Sequence, residues 1–203
     1  MNFYLADTHF FHANIIRFNR HSDRFDSVEE MNQTIINNWN SVVKKNDNVY
    51  LIGDECWLKG NDNRWDNIFS VLKGNIFLIR GNHSLASYPA NLKKYFCDIK
   101  DYMEITDYAN GIAYHVTLCH YPIICFKHDS DPSYIMIHGH THYFTNEAQY
   151  MRELVKNLRE QYVQYPDNRG QIFNVGAPCP WMDYTPKTLE YLLEKFDSGM
   201  ILE

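Results

Sequence analysis

The sequence predicts a layered α/β protein in which short buried strands alternate with amphipathic helices. Three short apolar runs have the length and composition of buried strands, at residues 3–6, 48–52 and 75–79. Between the first two, Ser27 and Glu30 have the spacing of a capping box, and apolar residues recur every three or four positions over 28–42. A second helix is predicted over 63–72, with Asn63 as its cap. This order of strands and helices is typical of βαβ units.

The second half of the chain continues the α/β pattern. Asn110 and Gly111 form a typical hairpin turn, which predicts two paired strands on either side of it. The predicted elements are a short helix over 89–96, strands over 99–108, 112–118, 134–137 and 171–175, a helix over 146–162, and a final helix that Thr185 and Pro186 open.

Composition and charge exclude several classes of protein. A net charge of −6 provides no bulk basic field for a nucleic-acid backbone. The five cysteines form no CxxC pair, which is typical of free thiols in a reducing compartment, and Cys56 and Cys119 are interpreted as packing thiols. The sequence shows neither a signal peptide nor an apolar segment of membrane-spanning length. We therefore expect a cytoplasmic protein with no membrane partner.

Five strand-like runs each end at side chains that can bind a metal ion. These side chains are Asp7 and His9, Asp54, Asn82 and His83, His120, and His140 and His142. Each residue taken singly also fits a capping, turn or buried hydrogen-bonding role. Loops outside the strand ends form the ligand crevice of α/β sheets, so the five ends are expected to meet. Oxygen and nitrogen donors without cysteine favour Mn, Fe, Zn or Ni, and their number favours two ions over one structural zinc.

These blocks give the sequence its resemblance to the calcineurin-like metallophosphoesterases, especially the small single-domain bacterial and phage members. The matching signature, in the family's order, is Asp7-x-His9, Gly53-Asp54, Gly81-Asn82-His83, His120 and Gly139-His140-x-His142. The similarity covers roughly residues 1–142 and 171–193. It implies a single domain over 1–203 with a helical insert at about 143–170. The implied fold is a four-layer sandwich of two mixed β-sheets flanked by helices.

The resemblance also implies a dinuclear centre and a reaction. One divalent ion would take Asp7, His9, Asp54 and His142, and the other would take Asp54, Asn82, His120 and His140. A hydroxide bridging the two ions would attack a phosphodiester or phosphomonoester, and His83 would face the leaving-group oxygen. Ser84 departs from the family, which often has an acidic residue at that position. Some other group must therefore orient His83.

Several further residues have two interpretations each. His12 and Asn14 could contact substrate or make local turn bonds, and Arg17 and Arg80 could clamp phosphate or form surface salt bridges. His138 is interpreted as a hydrogen-bonded core histidine outside the metal ligands. The helix over 146–162 could serve core packing, a substrate lid or a homodimer contact.

The functional prediction is hydrolysis of a small, nucleotide-type phosphoester. The alternative within enzymes is a nuclease or an RNA-end phosphodiesterase, which would need a basic groove beside the site. The alternative from another class is a non-catalytic binding module on the same fold.

Overall fold

Two four-stranded β-sheets flanked by helices form the computed structural model of the chain, which describes residues 1–18, 21–161 and 171–202. The first sheet contains β1 (Asn2–Leu5), β2 (Asn48–Ile52), β3 (Asn75–Ile79) and β4 (Phe96–Lys100), in that order. The second contains β5 (Tyr102–Ala109), β6 (Ile112–Cys119), β7 (Tyr134–His138) and β8 (Ile172–Asn174), also in order. The α-helices of the described residues are α1 (Val28–Val42), α2 (Arg64–Phe69), α3 (Ala90–Lys93), α4 (Asn146–Gln161) and α5 (Leu189–Asp197).

The two sheets differ in strand direction. The four strands of the first sheet run parallel to one another, and an isolated antiparallel bridge pairs Tyr4 of β1 with Lys187. The prediction that both sheets have mixed strands is therefore confirmed for the second sheet and not for the four strands of the first. The second sheet is mixed, since β5 and β6 are antiparallel and the remaining pairs are parallel. Parallel strands are covered on both faces, which explains the uninterrupted apolar runs in the sequence. The overall arrangement is compatible with a two-sheet sandwich.

Helix α1 confirms the predicted cap at Ser27, but the return bond from Glu30 is to the amide of Asp26 and not to that of Ser27. The Ser27 hydroxyl accepts a hydrogen bond from the Glu30 amide at 3.2 Å. The Glu30 carboxylate reaches back to the amide of Asp26 at 2.9 Å. The apolar stripe of the helix is buried from Val28 to Trp39, with Ile35 and Trp39 fully enclosed in the core, whereas Val42 at its end is exposed. Capping therefore fixes where the helix begins, and burial of one face holds it against the rest of the molecule.

Two predicted boundaries around β4 are wrong. The helix predicted over 89–96 covers only Ala90–Lys93, and Phe96 already belongs to β4. The long strand predicted over 99–108 is two strands in different sheets, separated by a bend at Asp101. Periodicity did not reveal this change of sheet because the chain stays extended on both sides of the bend.

The remaining helices differ from prediction mainly at their ends. Helix α2 is shorter than expected, and Asn63 makes no capping bond within the described residues; the Asp62 carboxylate accepts from the Arg64 amide instead. Helix α4 follows the predicted apolar face, with Ala148 and Val155 buried. Residues 162–170, the end of the predicted insert, lie outside the described residues.

Helix α5 begins after the predicted opening at Thr185 and Pro186. Thr188 is its cap, and its side chain accepts from the Tyr191 amide. None of the helices formed by the described residues combines the length and the apolarity that crossing a bilayer requires.

A buried carboxylate on the second sheet bonds β1 of the first sheet, at one end of an aromatic row. Tyr4, Tyr50 and Phe77 occupy equivalent positions on β1, β2 and β3, and their rings stack in sequence. The Tyr4 hydroxyl donates to the Asp107 carboxylate of β5 at 2.6 Å. Asn2 donates to the same carboxylate at 2.9 Å. Asp107 therefore fixes the position of the second sheet relative to the edge strand of the first.

We expect Ser27→Ala to lower the free energy of unfolding by about 1 kcal/mol, because the Glu30 amide loses its acceptor. The measurement is chemical denaturation followed by circular dichroism. Ser41→Ala is the matched control, since Ser41 lies at the exposed other end of the same helix and bonds only a local carbonyl. Equal losses in the two variants would contradict a specific capping role.

Candidate metal centre

The predicted metal ligands lie in loops that directly follow five strands. Asp7 and His9 follow β1, Asp54 follows β2, Asn82 follows β3, His120 follows β6, and His140 and His142 follow β7. Because β1, β2 and β3 are parallel neighbours, their carboxyl ends lie at one edge of the first sheet. The same holds for β6 and β7 in the second sheet. Two backbone hydrogen bonds of 2.8 Å join the two edges. The Ala6 amide donates to the Val175 carbonyl, and the Ala177 amide donates to the Ala6 carbonyl.

Five of these ligand positions have a left-handed backbone. Their φ angles are 54° at Asp7, 45° at His9, 48° at Asp54, 67° at His140 and 54° at His142. Residues other than glycine adopt this conformation rarely, and a cluster of such residues is typical of functional sites. Hydrogen bonds between the backbones of two of these loops hold this conformation in place. The Asp7 amide donates to the Gly53 carbonyl at 3.2 Å, and the His9 amide donates to the Asp54 carbonyl at 2.9 Å.

Gly139 allows the ends of β1 and β7 to approach each other. A Cβ atom at this position would lie 2.6 Å from both Ala6 Cβ and Asp7 Oδ2, too close for any other residue without displacement of the backbone. The next amide, that of His140, donates to both oxygens of the Asp7 carboxylate at 3.0 and 3.2 Å. The glycine therefore allows a predicted ligand from one sheet to lie against a predicted ligand from the other.

Asp7, His9 and His142 form the first group of donor atoms, all within 4.8 Å of one another. The two imidazole rings stack with centroids 5.1 Å apart. His9 Nε2 and His142 Nδ1 are buried and have no hydrogen-bond partner among the described residues. Burial lowers the pKa of His9 well below its usual range and that of His142 to about 3. Neutral imidazoles with unpartnered buried nitrogens fit a cation between them.

Asn82, His120 and His140 form the second group. Asn82 Oδ1 lies 3.0 Å from His120 Nε2 and 2.9 Å from His140 Nδ1. On the other side of the ring, His120 Nδ1 lies 3.0 Å from the Ile52 carbonyl oxygen. Because this oxygen can only accept a hydrogen bond, Nδ1 carries the hydrogen. Burial lowers the pKa of His120, so its ring is neutral and Nε2 carries a lone pair. Two acceptor atoms therefore face each other, which is the arrangement that a cation would stabilise.

The carboxylates of Asp7 and Asp54 lie between the two groups. Asp54 Oδ2 is 3.6 Å from His120 Nε2 and 4.0 Å from His9 Nε2. Donor atoms of Asp7, Asp54 and His120 also lie within 4.8 Å of one another. The Asp7 carboxylate, a member of the first group, is therefore also close to His120 of the second group. Burial, and then the charge of Asp54, raises the pKa of Asp7 well above its usual range. Neighbouring buried carboxylates repel unless a cation is shared, and these Asp and His groups could therefore bind a metal ion.

His83 is exposed and borders this centre. Its amide donates to Asp54 Oδ1 at 2.8 Å, and its ring lies 6.0 Å from that of His9. The ring also lies 4.8 Å from that of Trp57, an exposed aromatic residue that the sequence analysis did not select. The side chain therefore faces solvent at the edge of the predicted ligands.

Glu55 is a further residue that the sequence analysis missed, and it supports the turn carrying Asn82 and His83. Its carboxylate is fully buried and accepts hydrogen bonds from Ser84 at 2.5 Å and from Tyr88. Ser84 Oγ in turn accepts from the Gly81 amide at 2.9 Å. The carboxylate beside Ser84 thus comes from the loop after β2. Its position directly after Asp54 was the available sequence signal.

The four predicted substrate residues lie in different surroundings. The His12 ring stacks on Trp57 with centroids 4.0 Å apart, and Asn14 and Arg17 are exposed on a 3-10 helix at Ala13–Arg17. Arg80 instead forms a two-pronged ion pair with Asp101 at 2.6 and 2.7 Å. This pairing disfavours a phosphate clamp at Arg80. The substrate roles of the other three stay predictions.

His138 lies apart from the ligands at the end of β7. It is buried, and its Nδ1 lies 2.8 Å from the Gly139 carbonyl. Burial lowers its pKa to about 4. This environment matches the hydrogen-bonded core histidine that the sequence favoured.

We expect Glu55→Ala to weaken metal binding about tenfold, because the turn that carries Asn82 loses its anchor. Glu55→Gln should recover part of the loss, since an amide oxygen still accepts from one hydroxyl. Titration calorimetry with Mn²⁺ measures both variants, with Glu104→Ala as a control on an exposed glutamate. Unchanged affinity in Glu55→Ala would rule out the supporting role.

Comparison with known proteins gives relatives but no activity. No known family profile matches the chain. A solved structure from Aquifex aeolicus, described as the protein of unknown function AQ665, is similar at a TM-score of 0.63 with 26% identity over 98% of both chains. The uncharacterized protein MJ1445 of Methanocaldococcus jannaschii is 30% identical over 199 residues, covering 98% of this chain and 92% of that protein. The chain therefore belongs to the same family as MJ1445.

Proposed function

We propose that the protein is a metal-dependent phosphoester hydrolase that holds two divalent transition-metal ions. The observation that carries this proposal is the meeting of seven oxygen- and nitrogen-donor residues from five strand ends, where His9 Nε2 and His142 Nδ1 have no protein partner among the described residues. The order of these donors along the chain also resembles the metallophosphoesterase signature. Together these features support a dinuclear centre on a four-layer sandwich.

The donor groups suggest how two ions would be held. Asp7, His9 and His142 would hold the first ion, Asn82, His120 and His140 would hold the second, and Asp54 would contribute to both. Mn, Fe, Zn or Ni suits this donor set. Such ions polarise a phosphoryl oxygen and lower the pKa of a bound water towards 7.

The chain's own residues would position the ester and supply a proton. His83 lies exposed at the border of the centre and can donate to the leaving-group oxygen. Because its amide bonds Asp54 Oδ1, its position is coupled to a metal ligand. His12, Asn14 and Arg17 would contact the substrate from the loop after β1.

A small, nucleotide-type ester is the proposed substrate. The net charge of −6 disfavours long nucleic acids, which bind through basic surfaces. The five cysteines are free, which supports the proposed location in a reducing cytoplasm.

We expect His83→Asn to keep metal binding and lower kcat about 100-fold or more, the usual contribution of a positioned proton donor. Asp54→Asn should instead lose the metal itself, with affinity reduced by more than about 100-fold. Asparagine tolerates the left-handed backbone at position 54, so this variant tests charge and not strain. Metal analysis and initial rates measure the two effects separately.

The matched control for these variants is His128→Asn. His128 is exposed, also has a left-handed backbone, and lies beside Tyr134. We expect His128→Asn to change neither the metal content of the protein nor its rate of ester hydrolysis. Unchanged turnover in His83→Asn would remove the role assigned to His83.

The decisive experiment is a panel of phosphomonoesters, phosphodiesters, cyclic nucleotides and short RNA with Mn, Ni, Zn and Mg. Preference for RNA with steep salt dependence would favour the nuclease alternative. A purified protein that contains no transition metal and stays inactive with every added metal would favour the binding module.

A further inference from the structure

An open groove of about 520 Å³ lies beside the candidate metal centre, between the loop after β6 and the first turns of α4. Its volume is in the range of small-molecule sites. Tyr121 and Pro122 line one side, and Glu147, Tyr150 and Met151 of α4 line the other. His140 also lines it. The groove is therefore built by the predicted insert and by a proposed metal ligand together.

The groove is continuous with the second group of metal donors. The Tyr121 ring lies 4.7 Å from that of His140 and 5.2 Å from that of His120. A phosphate bound at the centre would lie next to this wall. The groove is thus placed to bind the organic part of a phosphoester.

The walls of the groove suit a flat, aromatic group. Tyr121 is 46% exposed and Tyr150 is 66% exposed, although both are large aromatic side chains. Pro122 and Met151 add apolar surface between them. Tyrosine faces are the surfaces on which nucleobases stack, and sequence-independent stacking is a major source of their affinity.

The polar groups of the groove favour a neutral base over a second anion. Among the lining residues that the structure describes there is no lysine or arginine, whereas Glu147 contributes a carboxylate and Asn146 an amide. The N terminus of α4 is already occupied, because Thr145 Oγ1 accepts from the Ala148 amide at 3.0 Å. A carboxylate accepts the N–H groups at the edge of a base and repels phosphate.

We propose that this groove binds the nucleobase of a nucleoside phosphoester substrate, with the base stacked on Tyr121 or Tyr150 and its N–H edge towards Glu147. The proposal rests on the proposed function for the position of the phosphate. It extends that function by naming the groove that would hold the base and the insert residues that would line it.

The first test measures nucleoside binding without turnover. Guanosine and adenosine are titrated into the purified protein and followed by NMR, with ribose as the base-free comparison. We expect saturable binding of at least one nucleoside, weakened about tenfold by Tyr150→Ala and by Glu147→Gln. Tyr108→Ala is the matched control, since Tyr108 is 67% exposed at the hairpin end of β5, away from His120. Absence of nucleoside binding, or equal losses in Tyr108→Ala and Tyr150→Ala, would overturn the proposal.

The second test separates the groove from the chemistry. Tyr150→Ala should raise KM about tenfold for a nucleotide ester and leave kcat and the hydrolysis of base-free ribose phosphate esters unchanged. If the protein hydrolyses base-free esters but binds no nucleoside, the proposal that the groove binds a base is wrong and the proposed function stands. Nucleoside binding without any hydrolysis would disprove the proposed function alone. Sedimentation measures the oligomeric state of both proteins. If the wild type is a dimer and Tyr150→Ala is a monomer, the groove is a subunit contact and the proposal is wrong.

Discussion

The close approach of the two sheets at Ala6 and Gly139 is the constraint on which the rest of the site depends. Each sheet alone provides only part of the donor set, because Asp7, His9, Asp54 and Asn82 come from the first and the histidines at 120, 140 and 142 from the second. Gly139 leaves space for Ala6 and for the Asp7 carboxylate, and paired bonds link Ala6 to the strand end after β8. A larger side chain at Gly139 would separate the sheets at the point where their ligands meet.

The loops at this junction store unfavourable energy. A non-glycine residue with a left-handed backbone costs on the order of 1–3 kcal/mol, and five proposed ligands adopt it. Buried imidazole nitrogens without partners and adjacent carboxylates add to the cost. This local energetic cost is large compared with a typical free energy of unfolding of about 5–15 kcal/mol. Backbone bonds between the loops offset part of it, and a bound cation would offset more. Such a site is expected to be more rigid with metal than without.

Residue types at strand ends were predictable from the sequence, whereas their supporting contacts were not. The runs before Asp7, Asp54 and His140 identified buried strands because parallel strands are apolar on both faces. The break at Asp101 escaped detection because a chain that leaves one sheet and enters another keeps the same extended pattern. Arg80 looked available for phosphate because its partner Asp101 lies 21 residues away in sequence. Long-range pairings of this kind depend on the fold and carry no local signal.

The Glu55 network anchors the turn that carries Asn82 and His83. The Ser84 hydroxyl both accepts from the Gly81 amide and donates to the Glu55 carboxylate. Tyr88 also donates to this carboxylate. The turn is thereby anchored to the loop after β2, which also carries Asp54. Movement of His83 relative to Asp54 would therefore require breaking bonds to two consecutive residues of β2's loop. Helix α4, by contrast, has its first turns beside the second sheet's ligands and makes one wall of the groove. Among the described residues, its exposed side chains make none of the hydrogen bonds to Asp54 or Glu55, so they can change without disturbing the turn that carries His83.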